Sequence, residues 1–148
     1  MIRVHATSVA LPEGGVLLRG PSGSGKSDLA LRLIDGGARL VADDQTELRR
    51  IGEAIEAAAP QTIAGRIEVR GLGILLVPSV ASTRLELVVD LVSAGELERL
   101  PKRQNCSLLG CSLPLLALTP FEASAAAKLR LALRALAAAA ASSILTAP

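Results

Sequence analysis

Two apolar runs of β-strand character, residues 3–11 and 16–19, flank the turn cluster Pro12-Glu13-Gly14-Gly15 and together predict a hairpin that feeds directly into a Gly-rich loop. The period then changes. Over residues 27–35, Leu29, Leu33 and Ile34 recur at helical spacing, and Gly36-Gly37 ends the pattern. A short strand at residues 39–42 stops at Asp43-Asp44, and β-type runs at 47–51, 66–70, 74–77 and 85–92 make the middle of the chain strand-rich. The last part differs again. Thr119-Pro120-Phe121-Glu122 has the form of a helix start, with Thr as N-cap, Pro at the first helical position and Glu placed to complete a capping box. The Ala-rich stretch that follows predicts helix to about Ile144. Leu129, Leu133 and Leu136 share one stripe of it and Leu131 lies well round from them, which suits burial within the domain or a subunit contact.

The 148 residues suit one compact domain, residues 1–148. Half are hydrophobic and a fifth are charged, enough to bury a core and too apolar for a disordered regulator. With one Phe and neither Tyr nor Trp, that core must be built from Leu, Ala, Val and Ile. Aromatic cages and base-stacking platforms for single-stranded nucleic acid are disfavoured, and a net charge of +2 argues against a phosphate-backbone footprint, so no nucleic-acid partner is expected. Residues 1–20 lack the apolar stretch of a signal peptide. The apolar segment near the C-terminus carries Arg130 and Arg134 and falls short of the ~20 residues that span a bilayer, so a cytoplasmic protein without membrane contact is expected. Cys106 and Cys111, with a single His in the chain, are too few for a structural zinc site and read as small buried or half-buried residues.

The chemistry concentrates in a few places. Gly20-Pro21-Ser22-Gly23-Ser24-Gly25-Lys26-Ser27 fits the P-loop pattern and lies between a predicted strand and a predicted helix. Its glycines let successive backbone N–H groups face one anion at a helix N-terminus, Lys26 suits the β- and γ-phosphates, and the Ser27 hydroxyl suits Mg²⁺. A dinucleotide fingerprint is absent, since Asp28 stands where a third glycine belongs. Asp43 and Asp44 follow Ser27 by sixteen and seventeen positions at the end of a strand expected beside the P-loop strand, a Walker-B-like arrangement. One carboxylate there can hold the metal and the other can accept a hydroxyl proton; the sequence does not say which, and a solvated turn is the plain alternative. His5 is either a structural strand residue or an imidazole aimed at the phosphates. Glu68 and Arg70 flank Val69 on one predicted strand face and by themselves read as an exposed ion pair.

Together, His5-Ala6-Thr7-Ser8, the GPSGSGKS loop, RLVADDQTEL and IEVRGLGILLV resemble the catalytic domain of the HPr kinase/phosphorylase family over roughly residues 3–120. The resemblance implies an α/β P-loop kinase fold of the HPr kinase/phosphoenolpyruvate carboxykinase type, here followed by an Ala-rich C-terminal helix. It implies ATP and Mg²⁺ as cofactors, an HPr-like phosphocarrier as partner, and a homo-oligomer, in the family a hexamer. By the same resemblance His5 is an active-site histidine, Lys26 binds phosphate, and Ser27, Asp43 and Glu68 are metal ligands. Asp44 is the favoured proton acceptor, Arg70 falls in the catalytic signature, and Arg99 matches a family arginine in a loop. The similarity is to the short proteobacterial form without the N-terminal domain. After Leu118 the family's Pro/Arg/Gly/Asn-rich segment is not recognisable, which leaves phosphorylase activity unsupported.

The expected function is therefore an ATP- and Mg²⁺-dependent kinase for a serine of an HPr-like protein. A small-metabolite kinase on the same loop, or an ATP-binding sensor without chemistry, are the alternatives. With no Tyr or Trp to stack on adenine, affinity is expected to come mainly from the phosphates and Mg²⁺, with loose base selectivity.

Overall fold

The first β-type run is broken at His5 into β1 (Ile2–Val4) and β2 (Ala6–Leu11), so one predicted strand becomes two with different partners. β2 turns at Pro12-Glu13 into β3 (Gly14–Arg19), and the hairpin pairs Leu11 with Gly14 and Ala6 with Arg19. Helix α1 (Lys26–Asp35) and strand β4 (Arg39–Ala42) follow as their patterns predict. The structure, a computed structural model, describes residues 1–146, and of residues 142–146 the backbone alone.

Next come β5 (Thr46–Ile51), β6 (Ala54–Ala58), β7 (Arg66–Val69), β8 (Gly73–Leu76) and the long β9 (Ser82–Leu91). A second hairpin, β10 (Gln104–Leu108) with β11 (Cys111–Leu118), precedes helix α2 (Ala125–Thr146). The main sheet runs β1-β5-β6-β9-β3-β2-β4, with β11 on β9 and β10 on β11, while β7 and β8 form a ribbon of their own. β2 thus lies between the loop-feeding strand β3 and the acidic strand β4, which corrects the expectation that those two are neighbours. Being antiparallel to both, β2 begins at the sheet edge where β3 and β4 end. β9, parallel to β3, ends at that edge too.

Side chains of the sheet alternate between two cores. Val16 and Leu18 of β3 join Leu29, Leu33, Leu40, Leu87 and Val89 beneath the helices. Leu17 joins Ala6, Val41, Leu48, Ile55, Leu85 and Val88 on the other side. A register shift at Gly15/Val16, where Gly15 faces Leu85 and Val16 faces Leu87, changes the parity along β9 and lets Leu85 and Val88 share one core. Gly15 has a steric reason: a Cβ there would lie 2.4 Å from Thr83 Cγ2 and 2.8 Å from the Arg84 carbonyl oxygen.

The terminal helix begins later than its local signal predicts. Thr119 does not cap it, since Thr119 Oγ1 is buried without a partner, and the Glu122 carboxylate turns to Lys128 Nζ at 2.7 Å instead of back to a cap. The cause is tertiary. The Arg32 guanidinium of α1 donates to the carbonyls of Pro120 and Glu122, the latter at 3.1 Å, and holds the segment as a turn. Helical bonding starts with Lys128 N–H to the Ser124 carbonyl at 2.8 Å. Arg130 of α2 returns the contact, its Nη2 donating to the carbonyls of Arg32 and Leu33 at the end of α1. Leu129 and Leu133 are buried and Leu136 packs against the same core, as their stripe predicts, while Leu131 is exposed. Cys106 is half-buried and Cys111 buried, both as free thiols. No helix among the described residues is long and apolar enough to cross a membrane.

Truncating a fully buried leucine removes its transfer energy and leaves a cavity, so Leu129→Ala should cost about 2–5 kcal/mol. Leu131→Ala, on the exposed face, should stay within about 0.5 kcal/mol. Urea-unfolding midpoints measure both, and equal losses would contradict the placement of α2.

Candidate active site

Three chain segments reach one sheet edge because of the strand directions: the loop after β3, the pair after β4 and the start of β2. The loop closes on itself through Ser24 N–H to the Pro21 carbonyl at 3.0 Å. Gly25, at φ 99, takes the left-handed conformation at the N-cap of α1, where Pro120 and Phe121 crowd the space of a side chain. Lys26 is buried, its Nζ donating to the carbonyls of Gly20 at 2.7 Å and Pro21 at 3.1 Å, and it stands 3.8 Å from Asp44 Oδ1. A helix N-terminus and an ammonium group thus share the mouth of the loop, a site built for an anion.

The two carboxylates have different surroundings. Asp43 Oδ1 accepts from Ser27 Oγ at 2.6 Å and Thr7 Oγ1 at 3.3 Å, and Oδ2 accepts from the Glu68 backbone N–H at 3.0 Å. Asp43 is a junction. Asp44 instead has a half-exposed carboxylate whose Oδ1 meets His5 Nε2 at 2.5 Å. Its backbone lies at φ 64, and Gln45 N–H donates across it to the Asp43 carbonyl at 2.7 Å, a tight turn that aims the side chain outward. Thr7 steadies both residues, since its hydroxyl also accepts from Asp44 N–H at 3.0 Å.

Of the predicted site residues, the structure brings together the loop 20–27, His5, Asp43 and Asp44. Glu68 arrives through its backbone; its carboxylate is not on Asp43, and among the described residues no three His, Cys, Asp or Glu side chains gather as a metal cluster. Arg70 lies just past β7 in the turn to β8, not on the strand face of Glu68, and makes no ion pair with it among the described residues. Arg99 is exposed between the helical turn at Ala94–Glu96 and β10; neither arginine hydrogen-bonds to the cluster among the described residues.

Sequence reasoning met Thr7 within His5-Ala6-Thr7-Ser8 and gave it no role of its own, its local signal being a polar residue inside an apolar strand. It also passed over Arg19, which donates to Asp90 through Nε at 2.8 Å and Nη2 at 3.1 Å. No local spacing points to that pair. Its hydrogen bond to Asp90 pushes the Arg19 pKa above its usual value against the opposing effect of burial. Burial likewise pushes the nearby Cys106 thiol up, with Arg19 partly opposing.

The HPr serine kinase C-terminal domain profile matches residues 1–129. The HPr kinase/phosphorylase of Caldanaerobacter subterraneus is 47% identical over 95 residues, covering 62% of this chain and 31% of that protein. For that of Clostridium tetani the identity is 40% over 111 residues, covering 73% and 36%. The chain thus spans about a third of the length of the curated relatives it matches. The solved Hpr(Ser) kinase/phosphatase of Coxiella burnetii superposes with a TM-score of 0.82 at 26% identity, over 91% of this chain and 95% of that one.

The backbone at residue 44 separates two substitutions. Asn tolerates the left-handed region, so Asp44→Asn should keep its thermal midpoint near native. Ala there should cost about 1–2 kcal/mol, the strain of that region for an ordinary L-residue. Thermal denaturation of the two variants compares them; equal stability would mean that residue 44 is not held at positive φ.

Proposed function

Because the chain belongs to the HPr serine kinase C-terminal domain family, we propose that it transfers the γ-phosphoryl group of ATP to a serine hydroxyl of an HPr-like phosphocarrier protein. The observation that carries this is the division of labour between the carboxylates: Asp43 meets the Ser27 hydroxyl at the foot of the loop, while Asp44 faces outward beside His5 and Lys26. A metal-holding acid and a proton-accepting acid are the two roles that phosphoryl transfer to a hydroxyl uses.

In this reading the loop N–H groups and Lys26 bind and orient the phosphates. Asp44 Oδ1 receives the serine proton as the oxygen attacks phosphorus, and His5 Nε2 holds that carboxylate toward the mouth of the loop. Ser27 Oγ and Asp43 Oδ1, 2.6 Å apart at the foot of the loop, are hard oxygen donors of the kind Mg²⁺ accepts beside phosphates and water, so these residues fit the ion. Mg²⁺ bound there would supply charge neutralisation to the phosphates. Asp43 and Ser27 would hold it, and Glu68, which reaches Asp43 through its backbone N–H, is the third ligand that the family resemblance implies.

Residues 1–146 act here as one catalytic unit, a reading supported by strands β3 and β9 serving both cores. With ATP as donor the reaction belongs to the cytoplasm. Leu72, Ile74, Leu75 and Leu76, exposed together around the β7–β8 ribbon, support a homo-oligomer.

Incubation with γ-labelled ATP, Mg²⁺ and the HPr protein of the same organism tests the proposal. Native protein should label HPr on serine and Lys26→Ala should not. Asp44→Asn should bind ATP within about threefold of native yet lose transfer by about 10²–10⁴-fold, the usual contribution of a positioned base. Labelling of a small hydroxyl compound in place of HPr, or undiminished transfer by Asp44→Asn, would overturn the substrate or the base respectively.

A further inference from the structure

The one aromatic side chain among Phe, Tyr and Trp in this protein is not used to fill the core. Phe121 is 68% exposed, although the apolar cores beneath the helices bury leucines completely. It stands beside the phosphate loop: Phe121 Cζ lies 3.0 Å from the point a Cβ on Gly25 would occupy, and Pro120 Cβ and Cγ lie 3.1 Å from the same point. Pro120 is buried, so the ring projects from a fixed base.

That base belongs to the loop's own helix. Arg32 of α1 donates to the carbonyls on either side of Phe121, those of Pro120 and Glu122, and Asp28 in the first turn of α1 pairs with Arg32 at 3.0 Å. The helix whose N-terminus forms the anion site therefore also clamps the peptide units flanking the ring. This clamp displaces the helix start that the local sequence favours, as described above. A ring exposed on a base clamped in this way is free to meet a ligand at the loop.

We propose that Phe121 is the stacking platform for the nucleobase of the phosphate donor, an inference that rests on the kinase reading. Phosphates seated in the loop would carry their sugar and base outward from the mouth, beside which the exposed Phe121 stands. The other ring of the site, the imidazole of His5, is engaged with Asp44. Stacking on one ring face carries no hydrogen-bond code, because every base has a π-face. The site would accept adenine and guanine nearly alike, which refines the loose selectivity expected from the composition: the base contributes affinity and little choice.

The absence of Trp and Tyr makes the test direct. Phe121→Trp places a single fluorophore at the site. ATP and GTP should both change its emission, whereas inorganic tripolyphosphate, which fills the loop without a base, should not. In calorimetric titrations with Mg²⁺, Phe121→Ala should weaken ATP and GTP by about tenfold, within the range of one stacked base, and Phe121→Tyr should restore them. Tripolyphosphate affinity should stay within about twofold in all three variants, a change of under half a kcal/mol. Unchanged ATP affinity in Phe121→Ala would overturn the proposal. Equal weakening of ATP and tripolyphosphate would make Phe121 a mere support of the loop and overturn it too. Emission that follows protein concentration and ignores nucleotide would assign the ring to a contact between copies. If native protein binds neither ATP nor tripolyphosphate, the kinase reading falls first and takes this inference with it.

Discussion

The carboxylate of Asp43 collects three hydrogen-bond donors from three different elements: a strand hydroxyl from Thr7, a helix hydroxyl from Ser27 and a strand backbone N–H from Glu68. Each donor comes from a segment that the sheet alone would leave free to settle differently at its end. A charged acceptor makes these bonds stronger than neutral ones, and losing it would leave the donors unmatched. The position of the next residue follows from this one. Both Asp43 oxygens are held by protein donors and its carbonyl accepts from Gln45, and Asp44 follows at positive φ with its carboxylate on His5 instead. Two adjacent acids thus acquire opposite environments from one local constraint.

Strand direction does the remaining placement. Because β2 runs against both its neighbours, the start of one strand and the ends of two others meet at a single edge, and His5, Gly20 and Asp43 come together from distant parts of the chain. The end of β9 arrives there as well, and the Arg19–Asp90 pair ties it to the residue just before the phosphate loop. Intervening β2 is no obstacle to the chemistry. It supplies Thr7 and is preceded by His5, side chains that a direct β3–β4 neighbourhood would not place between the loop and the acidic pair.

What the sequence revealed and what it hid divide along the range of the signals. The loop, α1 and β4 carry local marks: a glycine pattern, a helical stripe, an apolar run ending in acids. β6 was hidden because Ala54-Ile55-Glu56-Ala57-Ala58 is mostly alanine, a poor strand former that is accepted there by the pairing of β5 and β9 on either side. β11 was hidden by Pro114, which is tolerated because β11 pairs only with β10 at that residue and meets β9 from Leu115 onward. The helix-start signal at Thr119 was correct as local chemistry and lost to Arg32, 88 residues away from Pro120. In the site, residues with a motif were legible and their supports were not: Thr7, Arg19 and Asp90 owe their roles to sheet register.

The central position of β9 has a consequence for how the protein is made. β3 and the phosphate loop leave the ribosome before residues 82–91, the parallel partner that completes their sheet, and the Arg19–Asp90 contact spans 71 residues. During synthesis the first hairpin and α1 must wait for Leu87 and Val89 to complete the core they share, and long-range parallel pairing is slow even when all of its parts are present. The segment that carries the nucleotide chemistry therefore stays open to aggregation until β9 closes the sheet beside it.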